Sequence, residues 1–331
     1  MSLIDGLDFR NKKILVIGEA SIDKYIIGSA NSISPDAPVP NIKIEQNLNY
    51  IGGVGLVIQY IKSLGGIPEV CTIVGNDYDG NFFLKKVKEL NIESSGIIIE
   101  DNMYTPQITR IRAMNQQILR LETDYSIKIS QNVMKKIFNV VETRSSEVES
   151  ILILNYGIGD LFEDLFIQNL LIKLKRAYKN VPIIARPNSK NYYMYDNVDL
   201  IKMNLDKALN AFSIDCCNET SVSIVGKKIL NSTKSKNVLL SFLDSESYLI
   251  TKDTEKILIY KPIIKGPVRS YVSVGSVIMA ILSLCYAAKI PVSDGVKIAL
   301  CGAALSATLP PVEFFNFEKL KNYIQSFSEE L

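Results

Sequence analysis

Short runs of β-branched residues alternate with helical patterns along almost the whole chain, and this alternation restricts the fold more than any other feature. Lys13–Gly18, Glu69–Val74, Ile151–Leu154, Pro182–Ala185 and Val238–Ser241 read as buried strands, most of them bounded by Gly, Asn or Pro. Helical periodicity falls between them at about 53–64, 80–90, 131–141, 161–178 and 221–230. Such a succession predicts an α/β fold, a mostly parallel sheet with helices on both faces. Right-handed crossovers leave few topologies for it. Two segments break the rhythm. Residues 24–46 read as strand, Pro-rich turn (Ser34-Pro35-Asp36-Ala37-Pro38) and strand, and 107–121 as a hairpin turning near Asn115. Both are expected to form a small separate β-sheet that acts as a lid. From Ser273 the pattern turns helical, at about 273–289, 293–307 and 318–328. With no repeat, low-complexity segment or linker in sight, residues 1–331 read as one domain with a lid.

Composition removes whole classes of chemistry. Histidine is absent from the 331 residues, which excludes Ser–His–Asp and Cys–His catalysis and His-ligated zinc or haem. The five cysteines, Cys71, Cys216, Cys217, Cys285 and Cys301, show no C-x-x-C spacing. Most lie in or beside apolar segments, as small buried hydrophobes in a reducing compartment do. The net charge is +2 with no long basic run, and Lys85, Lys86 and Lys88 read as one solvated helix face. No nucleic-acid partner is expected. The N-terminal MSLIDGLDFRNKK lacks a signal-peptide core, and the apolar stretch Val272–Ile290 carries Ser273, Gly275, Ser276 and Ser283, which suits a buried helix. The expectation is a cytoplasmic protein without a membrane span.

The N-terminal third carries more specific information. Val16-Ile17-Gly18-Glu19, Asp23, Ile33-Ser34-Pro35-Asp36-Ala37-Pro38-Val39-Pro40 and Gly52-Gly53 stand in that order, with Asn115-Gln116-Gln117-Ile118-Leu119-Arg120-Leu121 further on. Together they resemble the ribokinase/PfkB carbohydrate kinases, and within that family the D-glycero-D-manno-heptose 7-phosphate kinase subgroup, over roughly residues 12–310. The resemblance implies a ribokinase-like fold, ATP and Mg²⁺ as cofactors, and a β-lid that often forms a dimer interface. Asp23 follows a strand end, where a carboxylate accepts sugar hydroxyls, or else caps a turn. Gly52-Gly53 precedes an apolar helix, so its backbone N–H groups are placed to approach a ligand, or it is a plain strand-to-helix turn.

The catalytic pattern of the resembling family is broken. Its G-A-G-D helix start provides an anion hole and a carboxylate base; here the stretch reads Ser270-Tyr271-Val272-Ser273-Val274-Gly275-Ser276. Gly275 remains and Ser276 stands at the base position, where a neutral hydroxyl is far too weak a base. No Asp or Glu occurs from Val268 to Pro291, and Asp294 opens the next helix, so no shift of register restores the base. The family's N-x-x-E reads Asn204-Leu205-Asp206-Lys207, its acid lost to Lys207 unless Asp206 compensates from the neighbouring position, and its D-P-K reads Arg186-Pro187-Asn188. The sugar-contact asparagine falls on Leu56 or Gly55, and a nucleotide-side glycine on Glu246 or Ser245.

These departures lead to a kinase homologue that is impaired or dead and works by binding a sugar phosphate or a protein partner. No cofactor is expected on that reading. Two alternatives stay open: an active ATP- and Mg²⁺-dependent sugar kinase with an unrecognised base, and a structural partner of an active kinase. A homodimer or hetero-oligomer through the lid is expected in each. Arg186 and Lys207 each replace an acid with a base, so that Arg186, Asn204 and Lys207 form a candidate metal-free anion site, unless the side chains swing to solvent.

Overall fold

The computed structural model describes residues 6–114, 116–123, 129–144, 147–158, 161–214, 218–241, 245–252 and 257–327. The turn expected at Asn115, and Cys216 and Cys217, lie outside them. In chain order the strands are β1 Lys13–Gly18, β2 Ala20–Ile33, β3 Pro40–Gly53, β4 Ile67–Gly75, β5 Ile97–Glu100, β6 Gln107–Ala113 and β7 Gln116–Glu122. Then come β8 Ser150–Leu154, β9 Ile183–Arg186, β10 Leu200–Asn204, β11 Asn237–Ser241, β12 Ser247–Thr251 and β13 Ile257–Tyr260. The helices are α1 Val54–Ser63, α2 Tyr78–Glu89, α3 Gln131–Thr143, α4 Asp164–Ala177 and α5 Leu205–Ala211, followed by α6 Glu219–Thr233, α7 Val274–Ala287, α8 Val292–Ala307 and α9 Phe317–Gln325.

Nine strands form one sheet in the order β13-β12-β11-β10-β9-β8-β1-β4-β5. From β11 to β5 every pairing is parallel, and β12 and β13 close the edge antiparallel. Alternate residues feed opposite faces. Ile14, Val16, Leu152, Leu154, Ile184 and Leu200 pack against α1, α7 and α8. Leu15, Ile17, Ile151, Ile153, Ile183 and Ile201 pack against α3, α4 and α6. A sheet covered on both faces explains why its strands are apolar throughout rather than alternating. Among the described residues no helix is long and apolar enough to cross a membrane, and α7 is a core helix with twelve buried residues.

The remaining four strands form a separate sheet in the order β3-β2-β6-β7, which contains residues 24–33, 40–46 and 107–113. β2 and β3 are longer than the sequence pattern indicates. β2 begins at Ala20, two residues beyond the end of β1, and β3 runs on to Gly53. Asp23 therefore sits inside a strand of the small sheet, opposite Tyr50, and not in a loop after β1. The small sheet carries exposed apolar side chains, including Ile33, Ile44, Ile118, Leu119 and Leu121.

Candidate functional site

Strand order reverses at β1, with β4 and β5 on one side and β8 to β11 on the other. Parallel sheets bind ligands outside their C-terminal strand ends beside such a reversal. A cavity of about 660 Å³ opens there, lined by the ends of β9, β10 and β11, by the small sheet and by the start of α7.

The small sheet contributes a buried ion pair. β2 and β6 run parallel with Tyr25 beside Arg110, and Arg110 Nη1 donates to Asp23 Oδ1 at 2.5 Å. The two side chains are 11% and 4% exposed. The guanidinium also lies 5.4 Å from the Tyr25 ring centroid. A Cβ on Gly52 would stand 2.5 Å from Asp23 Oδ2 and 2.6 Å from Ser21 Oγ, so glycine is what leaves room for the carboxylate. Gly53 has φ 56°, and a Cβ there would stand 2.2 Å from the Glu19 carbonyl oxygen. The Val54 amide, the first of α1, already donates to that oxygen at 2.9 Å. Gly53 lines the cavity, but the two glycines fit the chain around Glu19 and Asp23, and the Val54 amide is not left free for a ligand. Leu56, 4% exposed, also faces the cavity and offers no hydrogen bond.

Ser273 precedes α7 without capping it through its side chain. Its hydroxyl lies 2.7 Å from Ser306 Oγ, which lies 3.2 Å from the Tyr60 hydroxyl. Val274, Gly275 and Ser276 line the cavity, and a Cβ added to Gly275 would meet nothing within 4 Å. Ser276 is 5% exposed, and the Tyr156 hydroxyl, which donates to the Gly53 carbonyl at 3.5 Å, stands close to it. Asp294 lies in the first turn of α8, where its charge acts on Cys285 near the opposite end of α7. Behind Tyr156 lies Glu19, whose Oε2 accepts from the Tyr156 amide at 2.6 Å. Burial pushes the Glu19 carboxyl up to about 8, against the amides of Ile158, Tyr156 and Gly157 and the charge of Arg186.

The main sheet contributes cations. The β9–β10 register pairs Ile184 with Leu200 and Ala185 with Ile201, which sets Arg186 alongside Lys202. Arg186 lies 4.3 Å from the Tyr156 ring centroid and donates to the Asn155 carbonyl at 3.3 Å. Lys202 is 1% exposed, and its Nζ donates to Asn204 Oδ1 at 2.7 Å. Burial first, then the charges of Arg186 and Lys207, bring the Lys202 amine down to about 7. Lys207, in the first turn of α5, stands exposed at the rim. Its amine is lowered by burial of its surroundings and by Arg186 and Arg120, with Glu122 opposing. Arg186, Asn204 and Lys207 thus meet at one rim, joined by Lys202, while Asp206 is exposed and does not line the cavity. Ser241, Ser245, Ser247 and Lys261 line the far side, and Glu246 accepts from the Tyr248 hydroxyl at 2.9 Å.

Among the described residues the acids lining the cavity are Asp23 and Glu122, paired with Arg110 and Arg120 respectively. Magnesium takes oxygen ligands, usually carboxylates, and where the resembling family's pattern has acids this chain has Arg186 and Lys207. The described residues do not fit that ion, and no cluster of three or more His, Cys, Asp or Glu side chains among them could hold a metal. Lys202, Arg110 and Tyr156 are the site residues that motif reading overlooks, and Glu19 enters it only within the Val16-Ile17-Gly18-Glu19 string, without a role. Lys202 had a signal: it is the one charged residue in the strand Leu200–Asn204.

No family model matches the sequence. The chain is 27% identical over 338 residues to the bifunctional protein HldE of Aliarcobacter butzleri, covering 97% of this chain and 68% of that protein. It is also 27% identical over 294 residues to HldE of Helicobacter pylori strain G27, covering 89% of this chain and 62% of the relative. The chain thus spans about two thirds of these relatives' length. Among solved structures, Escherichia coli phosphofructokinase-2 in complex with potassium superposes with a TM-score of 0.77 at 15% identity, covering 96% of this chain and 99% of that one. Arabidopsis thaliana ribokinase complexed with ribose and ATP gives a TM-score of 0.74 at 14% identity, covering 95% and 99%. The fold is ribokinase-like.

Proposed function

From a chain similar to the ribokinase/PfkB sugar kinases in fold and to HldE in sequence, we propose a sugar-kinase homologue that has lost phosphoryl transfer and works by binding an anionic sugar ligand. The observation that carries this reading is the start of α7. Ser276 faces the cavity at the base position, and no Asp or Glu occurs between Val268 and Pro291. A neutral serine hydroxyl does not take a proton from a sugar alcohol at neutral pH. The surroundings agree with a binding role. The cavity-lining acids among the described residues are each paired with arginine, whereas Arg186, Lys202, Lys207 and Lys261 add positive charge.

The ligand class follows from the same charges: a sugar phosphate, held without Mg²⁺, with the heptose phosphates first in line because of the subgroup resemblance. The exposed apolar residues of the small sheet support assembly through that sheet, with a second copy or with an active kinase. Thermal unfolding with sugar phosphates in EDTA tests the reading. A ligand at about 100 times its Kd adds about 2.7 kcal/mol to the folded state. Stabilisation by a sugar phosphate without metal, together with no ADP formation from ATP–Mg²⁺, is the expected result. Stabilisation only by ATP–Mg²⁺, with turnover, would favour the kinase instead.

A further inference from the structure

We infer that Arg186, Lys202 and Lys207 together form a metal-independent site for a phosphate dianion, the phosphoryl group of a sugar phosphomonoester, at the C-terminal ends of β9 and β10. The inference rests on the binding reading above and adds where the anion sits and what its binding requires.

Geometry brings the three cations together from different elements. Arg186 and Lys202 are neighbours across two parallel strands, on the sheet face that also carries Ile184 and Leu200. Lys207 follows one turn into α5, and its charge and that of Arg186 both act on Lys202. None of the three makes an ion pair with another described residue. A lysine 1% exposed is almost never left without an anion. The Lys202 amine has Asn204 Oδ1 as its hydrogen-bond acceptor, which leaves two of an ammonium's three donors for a ligand. All three cations line the same cavity, so a phosphate oxygen entering it completes a charge pairing that the described residues leave open.

This arrangement couples binding to a proton. Without ligand, burial and its two cationic neighbours make Lys202 release its proton near pH 7. A dianion between the three cations offsets all of these effects, so the bound amine holds its proton to higher pH. Affinity is therefore full below about pH 7 and falls above it by up to ~10-fold per pH unit. Other titratable groups face the same space: Glu19 behind Arg186, Tyr156 with its ring under the guanidinium, and Glu122 with Arg120 from β7 over Lys207. A phosphomonoester also titrates, near pH 6. Sulfate stays dianionic throughout and isolates the protein's own proton.

Calorimetric titration of the whole chain with sulfate in EDTA, between about pH 6 and pH 9 and in two buffers of different ionisation enthalpy, measures affinity and proton uptake together. We expect metal-free binding, uptake approaching one proton above pH 7, and a loss of ~10- to 100-fold in Lys202→Met and in Lys207→Gln. Proton uptake should vanish in Lys202→Met, and Lys85→Gln on α2 should change nothing. Should Lys202→Met fail to fold, wild-type proton uptake and Lys207→Gln still decide. Absence of sulfate binding, binding without proton uptake, or binding indifferent to Lys207→Gln would overturn the site. Inorganic phosphate binding as tightly as any sugar phosphate would overturn the phosphomonoester assignment. A sugar phosphate that binds without metal but ignores these variants refutes this site while the binding reading stands. Kinase turnover refutes that reading instead, with the sulfate result judged separately.

Discussion

Removing Arg110 should be among the most damaging single changes in the small sheet. Its guanidinium stands 2.5 Å from Asp23 Oδ1, with side chains 11% and 4% exposed. An exposed pair contributes only about 0–1 kcal/mol. Here the carboxylate left behind is buried, and losing one partner of a buried pair costs about 3–5 kcal/mol. Methionine keeps most of the stem's packing, but the contact with the Tyr25 ring goes too, worth about 0.5–2 kcal/mol. Arg110→Met should therefore lower stability by about 3–5 kcal/mol. Asp23→Asn should cost less, about 1–3 kcal/mol, because the amide still accepts a hydrogen bond and the arginine is the more exposed partner. The double variant should be milder than the sum of the two, with a coupling of about 0.5–3 kcal/mol. Urea unfolding followed by circular dichroism reads these values as midpoint shifts at unchanged slope. An Arg110→Met cost below about 1 kcal/mol, or strictly additive variants, would refute the idea that a buried charge pair anchors the cleft wall.

Gly52→Ala and Gly275→Ala should move thermal stability in opposite directions. The first drives a methyl against Asp23 and Ser21 and costs about 1–3 kcal/mol, while the second meets open space inside a helix and gains about 0.5–1 kcal/mol. Equal effects in differential scanning calorimetry would contradict the described packing. Glu19 gives a pH signature. Its carboxyl is raised from 4.5 to about 8 on folding, so the stability it contributes is full below about pH 4.5 and is lost as pH rises through 8. Glu19→Gln should thus be neutral near the acid limit and stabilising at alkaline pH, read from urea midpoints across the range; parallel pH profiles would exclude a buried, protonated Glu19.

Local pattern specifies much of this architecture. Lys13–Gly18 is bounded in the sequence as it is in the structure, and the α1, α2, α7 and α8 ranges differ from their periodicities by a few residues. β5, β12, β13 and α5 are four to seven residues long, too short for periodicity to separate from the loops around them. Counting strands is enough to bring Arg186, Asn204 and Lys207 to one rim, since each follows or ends a parallel strand. The pairing of Asp23 with Arg110 is different in kind. These residues lie 87 positions apart and meet only through the parallel β2–β6 register, which no local pattern encodes. Lys202 is an intermediate case: its burial follows from the central position of β10, but its two cationic neighbours arrive from β9 and α5.

Whether phosphoryl transfer is lost is answered by isotope transfer from γ-labelled ATP–Mg²⁺ to a panel of sugars and sugar phosphates, heptose phosphates included, at high enzyme concentration. The comparison is between the natural chain and the triple variant Ser273→Gly, Val274→Ala, Ser276→Asp, which rebuilds the α7 start after folding has been verified. We expect no transfer by the natural chain and slow transfer or gained ATP binding by the variant, with Ser276→Asp alone inert because the anion hole is still missing. Transfer by the natural chain at ordinary kinase rates of about 1–100 s⁻¹, lost in Ser276→Ala, would show that the chain is a working kinase and that its serine does what the missing carboxylate was needed for.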